Sequence, residues 1–272
     1  MNKLNYELKN LCKRNHDGSF VTQKNRHNGL QLMASQLQAV GFHTRVMSVH
    51  DLKGRHVNRL VSLWKQQALS DTTMKNRLAM LRWWAEKIGN PGAVKTSEEY
   101  GIGRRQLVTN ESKAETLAGK DLSTISPWVA LSLRLQEAFG LRREESMKFR
   151  GAWALKGQSP EQRKLLAEVR QLTGSGSLIP PDRSYREHLR VFERETASVG
   201  IGHTHGLRHA YAQRRYEELT GRKQPVLGGR SRRTMRREER RRDDKIQRQR
   251  QRQISEELGH SRISVTSIYI GN

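Results

Sequence analysis

The chain is expected to be mainly α-helical and to fold as two domains, and three observations carry that expectation. Apolar residues recur at helical spacing through most of its 272 residues. Ser or Asp stands ahead of several of these runs, where a side-chain oxygen satisfies first-turn N–H groups, and Gly or Asn90-Pro91-Gly92 closes them. Room for extended structure is confined to short stretches near 150–159 and 178–181. The length suffices for two modest hydrophobic cores.

Residues 1–103 read as the first, wholly helical domain. Met33, Leu37 and Val40 line one helix face before Gly41 stops the run. Leu52, Leu60, Val61 and Trp64 form the next apolar stripe, with Lys53, Arg55, His56 and Arg59 largely off it. Ser70 or Asp71 caps a further helix that turns Met74, Leu78, Leu81, Trp84 and Ile88 inward and leaves Lys75, Arg77 and Arg82 for solvent or a polyanion. Residues 104–126 are polar and aperiodic and read as a linker. Gly101-Ile102-Gly103 is no nucleotide loop, since neither the further glycine nor a preceding strand is there.

Residues 127–272 form the second domain. Ser126-Pro127 starts a helix with Trp128, Leu131, Leu135 and Ala138 on its buried face, ended by Phe139-Gly140. Leu141-Arg142-Arg143-Glu144-Glu145 opens the next helix. Ser159-Pro160-Glu161 starts another that buries Leu165, Leu166, Val169 and Leu172. Residues 184–199 bury Leu189, Phe192 and Val199, and a helix over 204–219 carries His205 and Arg208. Residues 221–253 are a basic insertion: from Arg230 to Arg252 twelve Arg and Lys face four Asp and Glu, with almost no apolar residue to bury. Ile254–Leu258 resumes the apolar pattern, and Ile263, Val265 and Ile268 pack the segment that presents Tyr269.

Charge narrows the function classes. Lys and Arg number 51 against 27 Asp and Glu, a formal +24. Such an excess favours a polyanionic partner, nucleic acid first and an anionic membrane surface second. No stretch approaches the roughly 20 apolar residues of a spanning helix, and Met1–Glu7 lacks the apolar centre of a signal peptide. The single cysteine, Cys12, excludes an internal disulfide and a cysteine zinc cage and suits a reducing, cytoplasmic setting. His203, His205 and His209 are irregularly spaced for one helix face and have no carboxylate beside them, so no metal is expected.

The last sixty-odd residues hold the chemistry. His205-Gly206-Leu207-Arg208 supplies a planar guanidinium matched to two phosphate oxygens. His205 and His260 titrate near neutrality, and the Tyr269 hydroxyl is a possible phosphorus nucleophile. Tyr185, Tyr211 and Tyr216 are rivals by residue type, but they sit at core spacing within helices.

H-x-x-R, then Leu258-Gly259-His260, then Tyr269 nine residues on, together with Gly140-Leu141-Arg142-Arg143-Glu144-Glu145 upstream, resemble the boxes of the tyrosine recombinase (phage integrase) family. The resemblance covers about 127–272 and, more loosely, the helices before it. It implies an N-terminal helical, SAM-like core-binding domain that clamps DNA, and a mainly helical catalytic domain with a reduced β-sheet. By the family pattern Tyr269 is the nucleophile, and Arg142 and Arg208 bind the scissile phosphate. His205 and His260 hydrogen-bond that phosphate, while Glu145 supports the site. Arg143 competes with Arg142, the spacing favouring Arg142. The family's leaving-group lysine sits on a hairpin of a longer sheet. Here ten residues, 150–159, make one hairpin of very short strands at about 3.3 Å per residue, and Lys156 takes the role by position.

The expected activity is site-specific DNA recombination through a 3′-phosphotyrosyl intermediate, with no cofactor. The partners are double-stranded DNA and three further copies of the chain, and the setting is the cytoplasm, at the nucleoid. Expected DNA contacts are Lys53, Arg55, Arg59, Lys75, Arg77 and Arg82 in the first domain, and Arg232, Arg233, Arg236, Arg237, Arg240 and Arg241 in the insertion. Two alternatives stay open: a DNA-binding relative impaired in catalysis by loss of the sheet, and an enzyme like the type IB topoisomerases.

Overall fold

The computed structural model describes residues 2–104, 108, 111–152, 159–229 and 248–271. The chain divides into two compact units, Met1–Gln106 and Leu107–Asn272.

In the first unit the helices are α1 (Lys3–Arg14), α2 (Phe20–Ala39), α3 (Gly54–Gln66) and α4 (Asp71–Lys87). Asn2, Ser19 and Ser70 cap α1, α2 and α4, each side-chain oxygen accepting the N–H three residues on. The expected inward residues form the core: Met33, Leu37, Leu52, Leu60, Val61, Trp64, Met74, Leu78, Leu81 and Trp84 are buried, with Leu4, Leu8 and Leu30 from the first two helices. Each buried Leu or Met contributes roughly 1.5–3 kcal/mol. The two buried indoles keep their N–H groups satisfied, Trp64 by Gln36 Oε1 and Trp84 by Val49 O, both at 2.9 Å. His56 departs from the expected outward placement. It is buried, its Nδ1 accepts the Lys53 N–H at 3.0 Å, and its ring packs edge-on against Phe42 at 4.6 Å. Closing the first turn of α3 draws the ring inward.

The second unit is built around α5 (Pro127–Phe139), which packs against α6 (Arg143–Met147), α7 (Pro160–Thr173), α8 (Tyr185–Ser198) and α9 (His205–Thr220). Two faces of α5 are buried in two clusters. Val129 and Leu133 meet Met147, Phe192 and Leu207, while Leu131 and Leu135 meet Phe149, Leu165, Val169 and Leu178. The helical residues 248–257 (α10) and α11 (Ile263–Ile270) join α9 through Tyr211, Ala212, Tyr216, Ile254, Leu258, Tyr269 and Ile270.

Two expectations change here. Residues 111–126 are not free linker. Glu115 N–H donates to Gly206 O at 3.0 Å, Ser112 hydrogen-bonds Gln213, and Leu117 and Ile125 are buried with Val129 and Leu207. Polar contacts and two isolated apolar residues hold this segment, so it shows no period. Ser126 stands at the cap of α5, but its hydroxyl makes no cap bond; its backbone N–H donates to Glu195 Oε2 at 2.9 Å instead. Among the described residues, β pairing is reduced to an isolated antiparallel bridge between Arg150 and Ser177. Most of the expected hairpin, residues 153–158, lies outside the described residues.

Candidate active site

Arg208 is the centre of the candidate site. It lies in the first turn of α9, and its side chain is 1% exposed. An unpaired guanidinium at that depth is strongly disfavoured, and every nitrogen has a protein partner. Nη1 donates to Gly140 O and Nη2 to Leu258 O, both closely, Nη2 also meets His260 Nε2 at 2.9 Å, and Nε reaches Tyr269 Oη at 3.4 Å. Glu145 Oε2 stands 3.9 Å from Nη1. The three sequence boxes are therefore tied together through one side chain. Gly140 ends α5 in the left-handed conformation, and a Cβ there would lie 2.5 Å from the Tyr211 ring and 2.7 Å from Leu258. Only glycine lets this turn bring its carbonyl to Arg208.

Tyr269, on α11, is 5% exposed and faces this cluster. Its hydroxyl is 3.3 Å from His205 Nε2, and its ring packs 4.4 Å from His209 and 5.4 Å, stacked, from His260. Arg208 Nε is a donor, so the phenolic proton is directed at His205 Nε2. His260 Nε2 accepts from Arg208 Nη2, which places the proton of the neutral ring on Nδ1; that atom is buried without a partner among the described residues. Burial first, and then the positive charge of Arg208, push His260 down to about 4. Burial and the neighbouring His205 push His209 to about 4 as well. His205 is lowered by desolvation of its ring and by Arg208 and Arg142. At neutral pH these rings are hydrogen-bonding groups, and the positive charge belongs to the arginines.

Arg142 and Arg143 diverge at the start of α6. Arg142 Nη1 pairs with Glu145 Oε1 at 2.6 Å, while its backbone N–H meets Oε2 at 2.7 Å, closing a capping box beside Arg208. Burial raises the Glu145 carboxyl, but these bonds and the two arginines outweigh it, so it is held below its ordinary value and stays ionised. Arg143 turns toward α8 and pairs with Glu193 at 2.9 Å. Of the rival tyrosines, Tyr211 donates to Glu257 Oε2 at 2.9 Å and burial raises its pKa. Tyr216 is buried, and Tyr185 packs under Lys148 Nζ.

Lys156 and the insertion residues Arg232, Arg233, Arg236, Arg237, Arg240 and Arg241 lie outside the described residues. In the first unit Lys53, Arg55 and Arg59 are exposed, the last two one turn apart on α3. Lys75, Arg77 and Arg82 are partly buried. Arg77 lies over the Trp64 ring at 5.4 Å, and Arg82 donates to Lys95 O at 2.9 Å. Among the described residues no three His, Cys, Asp or Glu side chains cluster to hold a metal, and no helix is long and apolar enough to cross a membrane.

Residue pattern alone assigns His209 to packing or backbone hydrogen bonding, and its ring does hydrogen-bond the Tyr269 backbone, but the pattern gives Gln213 no role. His205, His209 and Gln213 follow one another at four-residue intervals on α9, and His209 and Gln213 both meet Tyr269. That interval is a usable signal for both.

Residues 1–91 match the family model described as phage integrase, N-terminal. A search of the curated proteins gives no match. Among solved structures, the chain is similar to the crystal structure of XerH site-specific recombinase bound to palindromic difH substrate, a post-cleavage complex. The TM-score is 0.51 at 15% identity, over 97% of this chain and 80% of that one. At that identity the likeness is one of fold.

Proposed function

We propose that this chain is a tyrosine recombinase (phage integrase), a reading supported by the match of residues 1–91 and by the fold, and that it cuts and rejoins DNA strands with Tyr269 as nucleophile. The observation that carries the reading is the hydrogen-bonded meeting of Arg208, His205, His260 and Tyr269, with Arg142 and Glu145 at its edge. Gathering a deeply buried guanidinium, imidazoles and a phenol has a desolvation cost that apolar packing would avoid. Phosphoryl transfer gives such a cluster a use.

The scissile phosphate takes over the Arg208 donors that Tyr269 and His260 occupy in the free protein, and half-exposed Arg142 releases Glu145 to bind the same group. Tyr269 Oη then attacks phosphorus. A P–Oη bond forms, the phenolic proton passes to His205 Nε2, and the bond to the 5′ oxygen breaks, leaving a 3′-phosphotyrosyl link. The arginines stabilise the charge of the five-coordinate transition state. Lys156 is the proposed donor to the leaving oxygen. Attack by a 5′-hydroxyl of another strand reverses the step, so neither nucleotide hydrolysis nor a metal ion is needed. Lys53, Arg55 and Arg59, with the arginines of the insertion, neutralise DNA phosphates without reading sequence. Four copies on two DNA sites, acting at the nucleoid in the cytoplasm for a mobile element, complete this reading.

The shortness of the stretch 150–159, where the family carries a longer sheet, favours a second reading, a DNA binder that has lost catalysis. A nicked suicide duplex separates the two. The enzyme traps as a denaturant-stable protein–DNA adduct and transfers its strand to a foreign 5′-hydroxyl end; the binder shifts the same duplex and forms no adduct. An adduct that reseals only its own strand indicates topoisomerase-like chemistry.

A further inference from the structure

We infer that Gln213 and Gln224 are positioning residues for Tyr269, and that the root of the basic insertion is built into the support of the nucleophile; this rests on the reading of Tyr269 above. Gln213 Nε2 donates to the backbone carbonyl of Tyr269 at 3.0 Å in a buried setting, which requires the amide nitrogen on that side, and Ser112 Oγ lies 3.0 Å from Nε2 and 3.2 Å from Oε1. Gln224, 1% exposed, donates closely from Nε2 to Gln213 O. It also begins the tight turn Pro225–Leu227, whose chain returns as Gly229 N–H donates to Gln224 O at 2.9 Å. The end of α11 rests on that turn. Gly271 has φ +85°, and a Cβ there would lie 2.7 Å from Val226 N.

The carbonyl of the nucleophile is thus held by α9, α9 is tied to the turn, and the turn abuts the residue two beyond Tyr269. The far side of the insertion returns as α10, followed at once by Leu258, whose carbonyl accepts from Arg208. Neither glutamine touches a reacting atom. Both act through the backbone that sets where the Tyr269 hydroxyl stands.

The test uses the full chain with Gln213→Met, which keeps length and removes the donor, and Gln213→Glu, which is isosteric and titratable. Adduct formation on a suicide duplex is timed at saturating DNA, Kd is measured separately, and the tyrosine Cζ carbon-13 signal that Tyr269→Phe removes is followed without DNA. We expect Gln213→Met to slow adduct formation roughly 10- to 100-fold, as displacement of a reacting group by about 1 Å does. Kd should stay within about twofold, and the Tyr269 signal should move. In Gln213→Glu the ionised carboxylate opposes the Tyr269 carbonyl, whereas the protonated acid donates to it. Its rate relative to the unaltered protein should therefore rise as pH falls through the carboxyl pKa, a rescue that a packing role would not give.

An unchanged rate and an unmoved signal in Gln213→Met overturn the inference, as does a Gln213→Glu rate that parallels the unaltered protein at every pH. If the unaltered protein forms no adduct while the signal still moves in Gln213→Met, the catalytic reading fails and the positioning contact stands. Should Gln213→Met not fold, Gln213→Glu decides alone.

Discussion

The two units bury different things at their centres. In the first, Trp64, Trp84, Leu60, Leu78 and Leu81 pack together, and exposed Lys53, Arg55 and Arg59 keep their charges in water. In the second, the middle of the Tyr269 cluster is Arg208, which is as buried as those leucines and is hydrogen-bonded by two carbonyls, a histidine and a phenol, with the Glu145 carboxylate 3.9 Å away. The first arrangement is what stability alone selects. The second carries a desolvation cost, and its polar groups converge on one point. Substitutions in the two regions should therefore separate folding from chemistry.

The largest separation is expected at Arg208. Arg208→Lys keeps a positive charge but loses the planar fork that reaches Gly140 O, Leu258 O and a phosphate together. Adduct formation on a suicide duplex should fall by about 10²-fold or more. Leu78→Ala in the first unit should cost about 3 kcal/mol in denaturant unfolding and leave the adduct rate of the folded fraction nearly unchanged. Equal effects of the two substitutions on rate would erase the distinction.

Next is the ion pair beside the cluster. Arg215 grips Glu257 with Nε at 2.9 Å and Nη2 at 2.7 Å, while Tyr211 donates to the same carboxylate. Both side chains are mostly buried, 14% and 17% exposed. Glu257→Ala strands the Tyr211 phenol and leaves Arg215 with Glu218 alone, 2.7 Å from Nη1, with an expected cost of about 2 kcal/mol by chemical unfolding. A loss under about 0.5 kcal/mol, the ordinary result for an exposed pair, would contradict this.

The buried histidines of the second unit make its stability sensitive to acid. His209 and His260 sit at about 4 in the fold, against an ordinary 6.5. The unfolded chain therefore binds protons first as pH falls. The stability these neutral rings contribute is complete above about 6.5 and is lost progressively toward 4, by no more than about 1.4 kcal/mol per pH unit for His209. Thermal unfolding from pH 7 to 5 should show Tm falling, and falling less steeply in His209→Gln.

The smallest effect concerns the surface of the first unit. Removing Lys53, Arg55 and Arg59 together should weaken DNA binding on any sequence. It should also flatten the salt dependence of log K by about 0.9 for each phosphate that is no longer neutralised. A sequence-selective weakening would show that these side chains read bases.

Residue spacing made much of this legible. Caps and apolar stripes located most of the helices, though not α1, and the Gly140-Leu141-Arg142, His205-x-x-Arg208 and Gly259-His260 boxes with Tyr269 named side chains that do meet. Such boxes are readable because each is local, a helix end or a single turn. What joins them is not local. Arg215 with Glu257, Ser112 with Gln213 and Gln224 with Gln213 link residues whose separation carries no period. The packing of residues 111–126 rests on the same kind of contact. His56 misled for a related reason, since its ring satisfies the backbone N–H of Lys53, the residue that caps its own helix, a need that polarity scales do not register.

The most direct measurement is the chemical identity of the linkage. After trapping on a suicide duplex, nuclease and trypsin digestion followed by mass spectrometry should find nucleotide on the C-terminal peptide that begins at Ile263, attached at Tyr269. Nucleotide on the peptide bearing Tyr211, or an adduct that persists in Tyr269→Phe, would contradict the account.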